Sequence, residues 1–452
     1  MRQRQRASRR FRRRGGACSP ASIGWMGFAG WLIAIGALLI VMYATSHIVA
    51  RLPASPALIY FTIGIAAGPW GFDWLHPDPE AHAALLEHAC ELALVVSLFV
   101  TGSTVGSTLR VSHWRTPVRL ATVAMTITIA LLALFAHTAL GFTIGAALFL
   151  ASALAPTDPV LASDVQVADA KDRDRLRFGL TGEAGLNDGA ALPFVLAGLA
   201  LLQVEGLAPE STPLWLASAA WGVVGGLGLG AALGFFTGRW IVRRLRKRVQ
   251  SEAAEPFLGL GLVAVVYGLA TALHAYGFLA VFAASVALQW AAAGEGRREG
   301  TQAGAADRPI EALQQFNADL ERLLEFAIVI VAGALFTIVD VPLSAIAVAA
   351  VLFLAIRPAS VLIALRGTPL VREQRALASW FGIRGVGSLY YVFFALAHGW
   401  HGAEAERALG IVLGVVAISI FVHGISVTPL MSAYERHARW SARRKATTTR
   451  RA

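Results

Sequence analysis

Ala155-Pro156-Thr157-Asp158-Pro159 interrupts an apolar block at residues 144–166, where two prolines bracket a threonine and an acid. Proline lacks a backbone N–H and cannot continue a helix, so we expect the helix to break here. A break inside a membrane is tolerated where the freed backbone lines a cavity or a site, and exposed carbonyl oxygens suit a dehydrated cation. Asp158 can accept hydrogen bonds from amides at the break or offset a positive helix end. The simpler interpretation is a kinked helix with Asp158 at its cytoplasmic mouth.

The composition around this stretch is that of a membrane protein. The chain has 452 residues, of which 56% are hydrophobic and 15% are charged, and its mean hydropathy is +0.61. Soluble domains carry about 25% charged residues. The apolar residues form blocks of roughly 20 residues, the length at which a helix crosses a bilayer. We therefore predict an all-α polytopic membrane protein. Its spans, about thirteen on this criterion, lie at residues 24–49, 54–69, 85–105, 118–140, 144–166, 178–203, 213–239, 257–273, 276–292, 320–339, 341–366, 375–398 and 406–430.

The net charge of +11 follows membrane topology and does not indicate a nucleic-acid partner. Lys and Arg residues cluster at the chain ends and in alternate loops, after the third, fifth, seventh, ninth and eleventh spans. The positive-inside rule places those loops and the C-terminus in the cytoplasm, as in a multi-pass protein of the cell inner membrane. The partner expected on this basis is the lipid bilayer. The two cysteines are too few for a disulfide framework, and no Cys/His cluster predicts a resident metal.

The chain divides into three regions by composition. Residues 1–25 form an Arg-rich extension that is either disordered or a start-site artefact, residues 26–431 form the membrane domain, and residues 432–452 form a short basic cytoplasmic tail that we expect to be disordered. An odd number of spans places the N-terminus outside, yet residues 1–14 hold eight arginines. Three explanations stay open: a span count wrong by one, an inverted first span, or a chain that begins at Met26, which the regular loop alternation favours.

The sixth span carries a second motif, Gly182-Glu183-Ala184-Gly185-Leu186-Asn187-Asp188-Gly189. Its two acids are five residues apart, about 140° around a helix, so they face different directions and need different partners. A charge within a span is costly and indicates function by default. A buried carboxylate without a charged partner has a raised pKa and exchanges protons near neutral pH. We assign that role to Asp188 and a structural ion pair to Glu183.

Two arginines in later spans are the candidate partners. Arg357, followed by Pro358, lies in an apolar stretch of the eleventh span and cannot lose its charge, so we expect it to pair with Glu183. Arg384 follows Phe381-Gly382-Ile383 in the twelfth span, in a glycine-rich stretch that predicts another break or a close helix contact. Its charge would balance carbonyl ends at the break or interact with Asp158, unless the side chain extends to the cytoplasmic interface.

Broken spans in corresponding positions of the two halves, here the fifth and the twelfth, are typical of inverted-repeat transporters whose site lies near the bilayer midplane. The motifs also resemble those of one family in the same order. They are Pro156-Thr157-Asp158-Pro159-Val160, Gly182-Glu183 with Asn187-Asp188-Gly189, Arg357-Pro358 and Arg384-Gly385. The chain from about residue 26 to residue 431 resembles the bacterial and archaeal Na+/H+ antiporters of the monovalent cation:proton antiporter 1 family.

The resemblance implies a homodimer, with a six-helix core of broken crossing helices and a separate dimerisation domain. It implies electroneutral exchange of one monovalent cation, such as Na+, for one proton by alternating access, with a role in pH homeostasis and no bound organic cofactor. It makes Asp188 the carrier of cation and proton, with Asn187 supporting it. Thr157 and Asp158 would lie beside the site, and the transported cation would contact Asp188 and Thr157.

Two departures from the family pattern bear on the cation. Ala184 stands where many members have a serine that helps to coordinate the ion, and the third span reads Leu98-Phe99-Val100-Thr101-Gly102 where some members have an acid. Na+, Li+ and K+ therefore stay open, and K+/H+ exchange on the same scaffold is one alternative. An inverted-repeat carrier of organic solutes is another. An intramembrane aspartyl protease using Asp158 and Asp188 lacks the Gly-x-Gly-Asp motif, so we predict a transporter and not an enzyme.

Overall fold

The chain folds into helices throughout the part that the computed structural model describes, which is residues 32, 36, 39–40, 55–106, 111–159, 161, 165–167, 174–204, 212–246, 255–298 and 307–449. The four described positions 32, 36, 39 and 40 belong to a separate unit. All the helices given next belong to the unit Ala54–Ala452. They are α1 (Pro56–Ala67), α2 (Ala83–Val105), α3 (Val111–Arg119), α4 (Met125–Leu140), α5 (Ile144–Leu154), α6 (Arg175–Leu201), α7 (Thr212–Arg246), α8 (Glu255–Ala272), α9 (Gly277–Arg298), α10 (Asp307–Ile338), α11 (Ser344–Val351), α12 (Arg357–Ala364), α13 (Arg372–Trp380), α14 (Val386–Ala397) and α15 (Ala403–Thr449).

These helices confirm the predicted all-α polytopic membrane fold. Each predicted span after the first contains one helix or consecutive helices. Six continuous helical stretches among the described residues are long and apolar enough to cross a membrane, and two of them, His113–Leu140 and Ser344–Ala364, run through a π-helical segment. The Arg-rich extension 1–25 and the first predicted span, 24–49, lie outside the described residues apart from the four positions named above.

The fourth and eleventh spans share a local distortion. The π-helical segment Leu120–Ala124 joins α3 to α4, and a second one, Leu352–Ile356, joins α11 to α12. The second lies directly before Pro358, whose ring would clash with the carbonyl of an undistorted turn. The two spans pack side by side, and the hydroxyl of Thr128 donates to that of Ser360 at 2.9 Å. The fourth and eleventh spans thus share a π-helical distortion, and the fifth and twelfth spans, which follow them, share a break.

Helices α7 and α9 pack closely because α7 presents a glycine at every fourth position. Such small-residue stripes let helix backbones approach within a membrane. A Cβ added at Gly226 would lie 2.7 Å from the carbonyl oxygen of Tyr276, and one added at Gly238 would lie 2.7 Å from that of Leu288. The glycines are Gly222, Gly226, Gly230, Gly234 and Gly238.

The C-terminal segment differs from the sequence prediction. Helix α15 continues through Thr449, so the disordered tail predicted from residue 432 is wrong for the described part of that segment. Side chains beyond the apolar block hold the helix against its neighbours. The Tyr434 hydroxyl donates to Asp174 Oδ2 at 2.5 Å, and Arg177 donates to the carboxylate of Glu435.

Candidate functional site

The two predicted breaks cross each other in the interior. Residues 155–159 follow α5 without helical hydrogen bonds, and residues 381–385 form an extended segment between α13 and α14. The backbone N–H of Asp158 donates to the carbonyl oxygen of Ile383 at 2.9 Å, which joins the two segments directly. A kinked but continuous fifth span is excluded, since α5 ends before the Thr-Asp pair.

Two opposite charges neutralise the helix ends that the breaks expose. Arg384 is fully buried, and its Nη1 donates to the carbonyl oxygens of Ala155 and Pro156 beyond the C-terminal end of α5. Asp158 accepts a hydrogen bond from the backbone N–H of Val386, the first residue of α14. A cation at a carbonyl end and an anion at an amide end both oppose the helix dipole. The interpretation in which Arg384 extends to the interface is therefore wrong, because its guanidinium ends on these carbonyls.

Asp188 is the carboxylate at this crossing whose side chain has no hydrogen-bond partner among the described residues. It is 1% exposed, and neither of its side-chain oxygens has a hydrogen-bond partner among the described residues. Its backbone carbonyl accepts from the hydroxyl of Tyr391 on α14, which fixes the backbone of α6 at this point. An unsatisfied buried carboxylate is costly, so this group is suited to hold either a proton or a cation.

Asn187 links this carboxylate to the first break. Its Nδ2 donates to Thr157 Oγ1 at 2.7 Å, and its Oδ1 has no partner among the described residues. Both residues are at least 95% buried. Oxygens of an amide, a hydroxyl and a carboxylate are the ligands that hard cations prefer. Ala184, also buried on α6, supplies no side-chain oxygen.

Glu183 faces away from Asp188 and binds Arg357, as the 140° offset predicts. Arg357 Nη1 lies 2.5 Å from Glu183 Oε1, and its Nη2 lies 2.9 Å from Oε2. Nη2 also donates to the carbonyl oxygens of Ala378 and Phe381, at 3.3 and 3.1 Å. The ion pair therefore ties α6 to the end of α13, where the second break begins.

The glycines of the twelfth span let charged side chains approach the backbone. A Cβ added at any of three positions would contact a charged group of the site. At Gly387 it would lie 2.8 Å from Asp188 Oδ1. The contacts pair Gly382 with Arg357, Gly385 with Asp158 and Gly387 with Asp188. This close approach, together with the break, explains the glycines of this motif.

Ser419 and His423 on α15 also lie at this site and were not predicted from the sequence. The backbone N–H of Arg384 donates to Ser419 Oγ at 2.8 Å, and that oxygen lies 3.2 Å from His423 Nδ1. The other ring nitrogen, Nε2, lies 3.2 Å from the carbonyl oxygen of Trp380, the last residue of α13. In the tautomer with hydrogen on Nε2, each group has a partner. Two polar residues four apart inside an apolar block were the available signal.

The comparisons with known proteins agree with this geometry. The family model described as "Sodium/hydrogen exchanger, transmembrane" matches residues 25–433. The K(+)/H(+) antiporter NhaP of Alkalimonas amylolytica is 26% identical over 419 residues, which cover 90% of this chain and 66% of that protein. The Na(+)/H(+) antiporter 2 of Zygosaccharomyces rouxii is 26% identical over 241 residues, 52% of this chain and 30% of that protein. This chain thus spans just under two thirds of the length of the first relative and less of the second.

A solved structure shares the fold. The sodium proton antiporter MjNhaP1 from Methanocaldococcus jannaschii, solved at pH 8, superimposes with a TM-score of 0.66 at 19% identity, covering 88% of this chain and 97% of that one. At this identity the likeness concerns the fold alone. It supports the arrangement of crossing broken helices described above.

Proposed function

Because the chain belongs to the family of transmembrane sodium/hydrogen exchangers, we propose that it exchanges a monovalent cation for a proton across the cell inner membrane by alternating access. The observation that carries this proposal is the isolation of Asp188, whose two carboxylate oxygens are buried and unpaired among the described residues. The other acids at the crossing have protein partners: Asp158 binds the backbone of α14, and Glu183 binds Arg357. One group is therefore free to change its occupant.

The mechanism is competition at this carboxylate. With the site open to one side, Asp188 binds the cation and releases its proton, and Thr157 and Asn187 contribute oxygens. The loaded core then opens to the other side, where a proton displaces the cation. A bare carboxylate is expensive to move through an apolar barrier, so the empty charged site does not cross. This restriction couples the two fluxes at one cation for one proton, which makes the exchange electroneutral.

The proposal extends to the assembly and its orientation. We expect a homodimer, with the Arg-rich alternate loops and the C-terminus in the cytoplasm. The cell would use the exchange for pH homeostasis.

The decisive experiment replaces Asp188 with asparagine. Purified Asp188→Asn protein in proteoliposomes with an internal pH-sensitive dye should show no cation-driven proton flux, since an amide does not exchange a proton near neutral pH. Asp73→Asn is the matched control, because Asp73 is exposed and its side chain has a hydrogen bond only to His76 in the described structure. Control variant and native protein should give equal flux. Full flux from Asp188→Asn would refute the proposal.

The cation is decided by the same assay with Na+, Li+ and K+ in turn. We propose Na+, although the K+/H+ antiporter from Alkalimonas is similar to this chain and Ala184 removes an oxygen from the sixth span. A proton flux driven by K+ and not by Na+ or Li+ would show that the protein is a K+/H+ exchanger. The absence of a dye response to all three cations would favour a carrier of organic solutes.

A further inference from the structure

A cavity on the basic side of the molecule is not used by the exchange mechanism. It has a volume of about 420 Å³ and lies where α3, the start of α6 and the loop between α12 and α13 meet. It is lined by His113, Arg115, Thr116, Arg175, Phe178 and the loop residues from Gly367. All three elements adjoin loops that the positive-inside rule assigns to the cytoplasm.

The cavity concentrates positive charge that has no acidic partner among the described residues. Arg115 and Arg175 are both exposed, and among the described residues neither forms a salt bridge. Arg175 has one long hydrogen bond, 3.4 Å from Nη1 to the carbonyl oxygen of Pro369. No Asp or Glu appears among the described residues that line the cavity. Two guanidinium groups at one opening are therefore available to an anion.

The adjacent acid, Asp174, forms hydrogen bonds outside the cavity lining. It caps the N-terminus of α6, where its Oδ1 accepts from the backbone N–H groups of Leu176 and Arg177 at 2.8 and 3.1 Å. Its Oδ2 accepts from the hydroxyl of Tyr434. The Asp174 carboxylate thus contacts the N-terminus of α6 and a side chain of α15.

A buried, unsatisfied group lies inside the cavity. His113 Nδ1 is buried and has no hydrogen-bond partner in the described structure, although the imidazole packs beside Phe178 with ring centroids 5.9 Å apart. A buried polar atom without a partner is unfavourable unless a ligand or a water supplies one. An oxyanion ligand held by both arginines would lie beside the His113 ring, which lines the same cavity.

We propose that this cavity binds a phosphate ester, through Arg115, Arg175 and His113. Guanidinium groups bind phosphate oxygens with paired hydrogen bonds, which is why arginine is favoured at such sites. The volume lies within the range of sites for organic ligands, so an ester fits better than inorganic phosphate. Val118, three residues after Arg115 on α3, is 44% exposed on the apolar surface. The opening therefore borders the lipid-facing surface, where a phospholipid headgroup meets basic pockets.

The test measures binding alone, so its outcome is independent of the transport proposal. Full-length protein in detergent is titrated with dioleoyl phosphatidylglycerol, dioleoyl phosphatidylcholine or sn-glycerol 3-phosphate, with retained ligand counted by native mass spectrometry and thermal stability measured in parallel. The variants are Arg115→Gln/Arg175→Gln and the single Arg115→Gln, which removes a side chain that has no hydrogen bond or ion pair to another described residue. The control is Arg322→Gln/Arg436→Gln, which removes two exposed arginines elsewhere.

Native protein should bind phosphatidylglycerol more tightly than phosphatidylcholine, and the double variant should bind it at least about tenfold more weakly. The single variant should show part of that loss and the control pair none. Equal protection by glycerol phosphate would identify a soluble ester as the ligand, and protection by phosphatidylglycerol alone would identify a lipid. Unchanged affinity in both pocket variants, or an equal loss in the control pair, overturns the proposal.

Discussion

The backbone N–H of Asp158 donates to the carbonyl oxygen of Ile383 at 2.9 Å, so the two broken spans are hydrogen-bonded to each other where they cross. Arg384, the next residue, reaches the carbonyl end of the fifth span, and the carboxylate of Asp158 reaches the amide end of α14. Each break thus supplies the charge that stabilises the other. A substitution in one broken span should therefore alter the position of the other span as well, and with it the site around Asp188.

Arg384→Gln should abolish most cation-driven flux, because it leaves the carbonyl oxygens of Ala155 and Pro156 without a cation. Arg407→Gln is the matched control, since Arg407 Nη1 also donates to a carbonyl at a helix end, that of Leu140 at 2.8 Å, away from the site. Both variants should lose about 1.5–3 kcal/mol of stability, the value of a charge-assisted hydrogen bond. Thermal denaturation and proteoliposome flux separate the two effects. Equal flux in the two variants would show that Arg384 only stabilises the fold.

Gly387→Ala should weaken cation binding, because the new methyl group would lie 2.8 Å from Asp188 Oδ1 and force that carboxylate to move. A displacement of this kind at a reacting group costs about tenfold or more in rate. The measurement is the cation concentration that gives half-maximal flux.

Gly261→Ala is the control for that substitution. Gly261 is exposed on α8, and a Cβ added there would have no neighbouring atom within 4 Å. Alanine there should stabilise the helix by up to about 1 kcal/mol and leave flux unchanged. A half-maximal concentration in Gly387→Ala equal to the native value would contradict the placement of that glycine against the site.

Replacing either Glu183 or Arg357 alone should cost more stability than replacing both together. Removing one member leaves a buried charge unpaired, and Glu183→Leu or Arg357→Met should cost about 3–5 kcal/mol. The double variant Glu183→Leu/Arg357→Met should recover part of that loss, because no lone charge remains. A double-mutant cycle in denaturant unfolding gives the coupling. Additive losses would mean that the ion pair seen between α6 and α12 contributes no interaction energy.

His423→Phe should destabilise the protein by about 1–3 kcal/mol, because it leaves the Trp380 carbonyl unpaired and removes the partner of Ser419. Flux should fall as well, since Ser419 holds the backbone of Arg384. His423→Gln, which keeps a side-chain donor, should recover part of both losses. His398→Phe is the control, because His398 is exposed and its ring contacts only Phe394, through the Phe394 carbonyl oxygen and the aromatic ring. Equal flux in His423→Phe and His398→Phe would show that His423 has no positioning role.

The sequence alone determined the membrane fold, because span length and loop charge are local properties that the bilayer selects. It also determined where the helices break, since Pro156, Pro159 and the glycines of the twelfth span act on the backbone at their own positions. The opposite facing of Glu183 and Asp188 followed from helical geometry. The helical continuation of the tail through Thr449 did not follow, because its anchors are contacts with α6.

Beyond the predicted pair of Glu183 and Arg357, only the tertiary structure decided which partners these residues have. Arg384 could reach carbonyls, Asp158 or the interface from its sequence position, and the crossing at Ile383 brought it to the carbonyls of the other break. Ser419 and His423 entered the site from a span that carried no recognised motif. The physical reason is that hydrogen bonds and charge pairs depend on distances between helices. The spacing of residues along one helix does not determine those distances.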